Sequence, residues 1–338
     1  MKKILIVGAG FSGATIARIL AESDYSVDVI DSRSHIGGNA YDVINEHGIR
    51  VHAYGPHIFH TSNETVVNFL SKFTEWVNYK HVVKAQLSDG QYVPFPVNKK
   101  TVEIVGKENI VETFFRPYTE KMWDMKLEEV SSTVLNRVPI KENYNELYFP
   151  DDKYQFMPKE GYTELFRKMF DHKNIKVFLD TPFEKSMEKD YYHVFNAMPI
   201  DEYFEFKFGE LPYRSIRFTN MNIPVNKLLP SAVVNFTHKY KYTRVTEWKS
   251  FPNHGINEHY TTLTFEEPCD YKDNGYERYY PVKDASGKNR KIYESYKKIV
   301  PENMTFIGRC GMYVYVDMHM AVNSSLKTAC EFVKRNIK

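Results

Sequence analysis

Apolar residues along this chain come in two rhythms. Residues 3–7 (KILIV) form a short unbroken apolar run, which predicts a strand buried on both faces. In 14–22 (ATIARILAE), Ala14, Ile16, Ala17, Ile19 and Leu20 recur at helical spacing, and 27–30 predicts a second strand ending at Asp31. Alternation on either side of Asp89-Gly90 predicts a hairpin of 82–87 with 91–95. Helices are predicted over 101–104, 109–123, 164–170 and 318–335. Strands are predicted at 176–179, 192–196, 215–219, 232–236, 244–248 and 260–265. Many short strands after a strand–helix–strand opening predict an α/β protein whose second part is an antiparallel sheet. No internal repeat or low-complexity tract appears.

The first strand and helix are joined by Gly8-Ala9-Gly10-Phe11-Ser12-Gly13. Glycines at this spacing also make ordinary turns. Here they sit between a strand and a helix, with an acid about twenty residues on, which is the context a dinucleotide-binding turn requires. Gly8 permits the tight turn, Gly10 lets a pyrophosphate approach the backbone, and Gly13 lets helix and strand pack closely. The helix N-terminus, with Phe11 and Ser12, then faces the phosphates. Asp31 can accept hydrogen bonds from an adenosine ribose, and its charge disfavours a 2′-phosphate. The stretch 32–41 (SRSHIGGNAY) adds Arg33, the pair Gly37-Gly38 and Asn39. A second close backbone approach so soon after the ribose acid suits FAD, which lies extended with a second phosphate, a ribityl chain and a ring to seat. The arrangement resembles flavoproteins of the glutathione-reductase and amine-oxidase type.

The 338 residues are enough for about two lobes. Hydrophobic residues at 42% and charged residues at 26% are ordinary for a soluble globular protein, which excludes a disordered or collagenous chain. Lys+Arg 45 against Asp+Glu 43 gives a net charge of +2, without the basic excess that nucleic acid or an acidic membrane surface would call for. The 25 Tyr and 23 Phe suit either the stacking of flat ligands and sugar rings or a large core. Cys269, Cys310 and Cys330 match no zinc pattern and make no disulfide framework. They read as reduced thiols of a cytoplasmic protein. The opening apolar run is short and lacks a cleavage site, so it does not read as a signal peptide. No apolar stretch is long enough to span a bilayer. His57 and His60 stand three apart, but no third ligand has a sensible spacing, so no metal is expected.

The strings HIGGNAYD and, at 54–61, YGPHIFHT closely resemble the UDP-galactopyranose mutase family. The resemblance continues in order through Tyr118 to Trp123 (YTEKMW), Arg137-Val138-Pro139, 143–149 (NYNELYF), Met157-Pro158 and Gly161-Tyr162-Thr163. It runs on through Pro212 to Ser215, Ala232 to Phe236, Tyr242-Thr243-Arg244, Tyr279 to Val282, and 308–320 (GRCGMYVYVDMHM). It implies a Rossmann-like FAD-binding domain (1–78 with 185–215 and 300–338) and a small helical domain (97–135). The third part is an antiparallel sheet that carries substrate (79–96 with 136–184 and 216–299). The activity implied is an isomerase interconverting UDP-galactopyranose and UDP-galactofuranose for polysaccharide synthesis. FAD is active in its reduced form, with N5 attacking the anomeric carbon. An external reductant such as NAD(P)H and a homodimer are implied too. The chain departs from typical bacterial members between Pro96 and Tyr118. Only about twenty residues stand there in place of a much longer helical insertion, which bears on dimer contacts and on the wall of the substrate cleft.

The resemblance also assigns roles. Arg137 and Arg244 match the two arginines that hold the departing diphosphate, a task suited to the planar guanidinium fork. Arg137 lies in the polar stretch 131–145, which looks like a mobile substrate-closing loop. Arg214 and Arg309 would add to the positive field. Tyr118 and Trp123 correspond to an aromatic wall beside the uracil, and Tyr148, Tyr280 and Tyr315 to hydroxyls that reach the diphosphate. His60 matches a histidine near flavin and sugar, supported by His57, which is counted with the cofactor residues. His81 and Asn235 match sugar-side positions. Arg309, Asp317 and Met318 match residues near the flavin and over its pyrophosphate and ribityl chain.

Three alternatives remain open at this level. The same chemistry could serve UDP-N-acetylgalactosamine or a dTDP-6-deoxyhexose. An FAD-dependent oxidoreductase of amine-oxidase type would share the N-terminal fingerprint, but it would not explain the arginines and tyrosines. A non-catalytic nucleotide-sugar sensor would keep the fold without turnover.

Overall fold

The computed structural model describes residues 1–129 and 140–336. Its opening is β1 (Lys3–Val7), α1 (Phe11–Glu22) and β2 (Ser26–Ile30), as the apolar rhythm predicts. These form the middle of a five-stranded parallel sheet in the order Ile175–Phe178, β2, β1, His193–Asn196, Met304–Phe306. The C-terminal helix Met318–Asn336 packs against α1. Ile4, Ile6, Ile16 and Leu20 are fully buried between these layers, so the glycine turn at the C-terminal end of β1 has a rigid base.

A second sheet has seven strands, in the order Tyr280–Pro281, Tyr213–Ile223, Thr261–Asp270, Arg244–Glu247, Val233–Phe236, Val83–Gln86, Tyr92–Phe95. It is antiparallel except where Val233–Phe236 runs parallel to Val83–Gln86. The predicted hairpin around Asp89-Gly90 forms its edge. A third, small antiparallel sheet joins Phe59–Thr61, Tyr154–Pro158 and Trp76–Asn78.

Several expectations need correction. The segment predicted as one helix over 109–123 is broken into a turn at Lys107–Asn109, a π-helical stretch Val111–Phe115 and an α-helix Arg116–Trp123. Pro117, in the first turn of the last piece, has no N–H to continue the ladder. The strand predicted at 215–219 extends over Tyr213–Ile223, because it pairs along its whole length with Thr261–Asp270. Trp248 leaves its strand for a 3₁₀ turn, Trp248–Ser250. The domain limits shift as well. Ile175 pairs opposite Val27 of β2, so a strand expected in the substrate part belongs to the parallel sheet. Tyr213, expected in the FAD part, pairs with Pro281 in the seven-stranded sheet.

Four buried histidines predict acid sensitivity. His254 Nδ1 donates to the Pro252 carbonyl at 2.8 Å, so its Nε2 accepts from His52 Nε2 at 3.0 Å. His52 Nδ1 in turn accepts the His57 peptide N–H at 3.1 Å. Both rings are therefore neutral. Burial lowers His193 and His254 from 6.5 to about 4 and His81 to about 3, and it lowers His52 too. As pH falls, the unfolded chain takes up these protons first. The stability these groups contribute is complete above their unfolded value near 6.5 and is lost as pH falls toward 4 and below, at ~3 kcal/mol for a drop from 6.5 to about 4. Thermal scans are expected to show the melting temperature falling steeply from pH 6.5 to 4. A flat profile across that window would contradict the assignment.

Candidate active site

The turn between β1 and α1 opens onto a cavity of about 540 Å³. Gly8 N–H donates to the Ile30 carbonyl at 2.8 Å, and Gly37 N–H to the Ala9 carbonyl at 2.9 Å. The two glycine segments are thereby pinned to the strand ends and to each other. A Cβ on Gly38 would come within 3.0 Å of Gly10 Cα, so glycine is needed where the segments meet. Asp31 accepts the Ala9 N–H at 2.8 Å and the Arg33 N–H at 2.9 Å, which holds its carboxylate at the mouth of the turn. Gly10, the residue just before α1, supplies no side-chain cap, so the first N–H groups of a twelve-residue helix are left for another acceptor. This cradle fits the pyrophosphate of a bound FAD.

A second cavity, of about 430 Å³, lies beside the first. His57, Arg309, Asp317 and Met318 line both, and they mark where the two spaces meet. Its wall draws on the seven-stranded sheet, on the small sheet through His60, and on the helix Arg116–Trp123. Sheet register decides which side chains share it. Arg244 stands opposite Asn235 on one neighbouring strand and opposite Glu266 on the other, so the three form a row across the sheet. Arg244 Nε lies 2.7 Å from Glu266 Oε1. Burial works against the Arg244 charge, but the Glu266 carboxylate and the tyrosines nearby outweigh it, and the guanidinium is held well above its ordinary pKa.

Aromatic rings build another part of the wall. Tyr280 and Tyr315 stack with centroids 5.3 Å apart, and Trp123 meets Tyr280 edge-on at 6.2 Å. The Arg309 guanidinium lies 5.0 Å from the Tyr315 ring centroid and 5.5 Å from that of Tyr280. It donates to the Tyr279 carbonyl at 2.9 Å. Lys121, on the same helix as Tyr118 and Trp123, donates to the carbonyls of Phe236 (3.2 Å), His238 (2.9 Å) and Tyr242 (2.9 Å), tying that helix to the loop leading into Arg244. Burial lowers His57 to about 4, so its ring is neutral. Its Nδ1 donates to the Gly55 carbonyl at 2.8 Å, which leaves the lone pair on Nε2.

The residues singled out in the sequence converge on these two spaces. Gly8, Gly10, Phe11, Ser12, Gly13, Asp31, Arg33, Gly38, Asn39, His57, Arg309, Asp317 and Met318 line the first. His60, His81, Tyr118, Trp123, Tyr148, Asn235, Arg244, Tyr280 and Tyr315 line the second. Arg137 lies outside the described residues. Arg214 does not line the cleft. It is buried and donates to the Met122 carbonyl at 2.9 Å, closing a helix end. His57 bonds to Gly55 and His52, so it does not support His60 directly. Glu277, Arg278 and Phe149 were missed. Glu277 pairs with Arg33 at 2.5 Å across 244 positions, a contact with no local signal. Among the described residues, no group of three metal-ligating side chains is placed to hold a metal ion, and no helix is long and apolar enough to cross a membrane.

Comparison with known proteins agrees with this geometry. A sequence model of UDP-galactopyranose mutase matches residues 113–315, and one of the NAD(P)-binding Rossmann-like domain matches 6–73. The chain is 36% identical over 375 residues to the probable UDP-galactopyranose mutase of Klebsiella pneumoniae, covering 98% of this chain and 95% of that one. It is also 36% identical over 385 residues to the dTDP-fucopyranose mutase of Escherichia coli, covering 99% and 100%. A crystal structure of reduced UDP-galactopyranose mutase superposes with a TM-score of 0.79 at 14% identity, covering 100% and 97%. By its fold, its paired cavities and its near full-length likeness to these enzymes, the chain belongs to the UDP-galactopyranose mutase family.

Proposed function

We propose that this mutase interconverts UDP-galactopyranose and UDP-galactofuranose. The observation that carries the reading is the junction of a dinucleotide cradle with a cleft that holds a fixed arginine among tyrosines. Its cofactor is FAD. The chemistry FAD supplies there, once reduced, is an electron-rich nitrogen able to displace the diphosphate from the anomeric carbon.

The chain's own residues bind and orient. Arg244, joined by Arg137 from outside the described residues, holds the diphosphate as it leaves, with the hydroxyls of Tyr148, Tyr280 and Tyr315 toward the same oxygens. Tyr118 and Trp123 stack the uracil. The Asn235 side-chain oxygen is buried with no hydrogen-bond partner among the described residues, which suits a sugar hydroxyl as donor. His81, neutral through burial, offers a second polar edge. His60 moves a proton at a sugar oxygen. The parallel sheet with its glycine turn carries the cofactor, the seven-stranded sheet and the short helical segment carry the substrate, and an external reductant such as NAD(P)H supplies electrons to a homodimer.

A second reading shares the chemistry and changes the sugar. The relative named dTDP-fucopyranose mutase matches as well as the one named for galactopyranose, which favours a dTDP-6-deoxyhexose. One experiment separates these. The purified FAD protein, oxidised or reduced with dithionite, is given a panel of nucleotide pyranoses and furanoses, and exchange is followed by chromatography. Exchange of UDP-galactose in the reduced state alone is the expected result. Exchange confined to dTDP sugars would replace the substrate. Oxygen-dependent amine turnover without exchange, or bound flavin without any turnover, would overturn the reading.

A further inference from the structure

His60 is gripped by a carboxylate to which no motif pointed. Asp152 Oδ2 lies 2.6 Å from His60 Nδ1, and the two side chains are only 26% and 13% exposed. The His60 ring lies flat on Phe149, with centroids 3.5 Å apart and planes 7° from parallel. The backbone presets this contact. Phe59–Thr61 pairs antiparallel with Tyr154–Pro158, with His60 opposite Gln155. The turn just before that strand is closed by Asp152 N–H to the Phe149 carbonyl at 3.4 Å. It is zipped to the His60 strand by Lys153 N–H to Ser62 Oγ at 3.0 Å and by Ser62 Oγ to the Asp151 carbonyl at 3.2 Å.

A carboxylate can only accept, so His60 Nδ1 carries hydrogen, and the nitrogen able to offer a lone pair is Nε2. We infer that Asp152 is a positioning residue for the mutase reaction: it fixes the tautomer and plane of His60 so that Nε2 can take a proton from a sugar hydroxyl and return it. The inference rests on His60 acting in the cleft as proposed above. Exchanging a pyranose for a furanose turns one hydroxyl into a ring oxygen and frees another ring oxygen as a hydroxyl, so one proton leaves and one arrives with none consumed. Within the open-chain sugar, Nε2 takes the proton from the hydroxyl that closes the new ring and hands it to the oxygen that the old ring has freed, so the imidazole ends the turnover as it began. While it holds that proton, the imidazolium faces the Asp152 carboxylate. A ring free to flip would present N–H where the lone pair is required. A base oriented by a third group is the general solution to this problem.

The test uses the FAD-loaded, reduced protein and UDP-sugar exchange. D152N is expected to lower kcat by about 10- to 100-fold, the usual cost of losing an orienting partner, with KM changed by less than about threefold. Its flavin content and melting temperature should match the wild type. In an H60A background D152N should add less than about threefold, because the two residues act as one unit. Multiplicative losses in the double variant, or a near wild-type kcat in D152N, would overturn the inference while leaving His60 in its role. A wild-type rate in H60A would instead remove the role of His60 itself, and the inference with it. A further measurement needs no variant. The ¹⁵N shifts of His60 in the intact holoprotein report its tautomer: the Nδ1–H form is expected, and the Nε2–H form would overturn the inference.

Discussion

Arg244→Ala is expected to slow exchange by about two orders of magnitude, ~3 kcal/mol of barrier, the usual cost of losing one preorganised electrostatic contact at a centre where charge develops. The geometry explains why so much rests on one side chain. Glu266 is 1% exposed and its Oε1 lies 2.7 Å from Arg244 Nε as a buried ion pair, so the guanidinium is kept in place before any nucleotide arrives. In the proposed function the rest of its fork serves the phosphate oxygens. Its charge does not titrate away, because Glu266 and the tyrosines keep the pKa raised against burial. The alanine variant therefore loses a diphosphate contact and leaves a buried carboxylate unpaired, which costs stability as well. Arg244→Lys separates the two effects. It keeps a cation near Glu266 but not the planar fork, so its melting temperature should recover further than its rate. Single-turnover rates of both variants in the reduced state, beside thermal scans, measure this. An alanine variant within threefold of the wild-type rate would remove Arg244 from the chemistry.

What could be read from the sequence follows from how each contact is made. The cofactor cradle is local. Gly8, Gly10, Gly13 and Asp31 lie within 24 residues of one strand–helix–strand unit, where the glycine spacing and the following acid fix the geometry, so the motif alone located them. The cleft is different. Asn235, Arg244 and Glu266 meet because of strand register, and register is decided by which faces bury against the core. Family likeness put Asn235 and Arg244 in the site, yet nothing along the chain marked Glu266 as the group that holds the arginine. Asp152 is hidden for the same reason, since it stands in a turn 92 positions from His60. Met304–Phe306 was missed as a strand because three residues carry too little pattern, although it completes the parallel sheet. Arg214 shows the converse: a cation in a motif-rich stretch that serves a helix end instead of the ligand.

The glycines of the fingerprint are expected to fail in different ways, and the difference tests the cradle. A Cβ on Gly13 would sit inside the van der Waals envelope of the Gly8 carbonyl oxygen and 3.1 Å from Ile6 Cγ2. Backbone and a buried core side chain cannot yield there, so α1 must move off β1. Gly13→Ala should then lose both stability and flavin, and the protein should purify colourless with a depressed melting temperature. Gly10 offers the contrast. A Cβ there meets nothing closer than Gly38 Cα at 3.6 Å, an ordinary contact, so the apoprotein of Gly10→Ala should melt with the wild type. Its methyl would nevertheless stand on the cavity wall where the backbone must admit a pyrophosphate. FAD affinity should fall by at least about tenfold, equivalent to ~1.4 kcal/mol, while the fold is untouched. Flavin absorbance per chain after purification, FAD titration of the apoprotein and melting of both apo variants separate the two outcomes. If Gly10→Ala kept a full complement of flavin at wild-type affinity, the pyrophosphate could not lie against this turn.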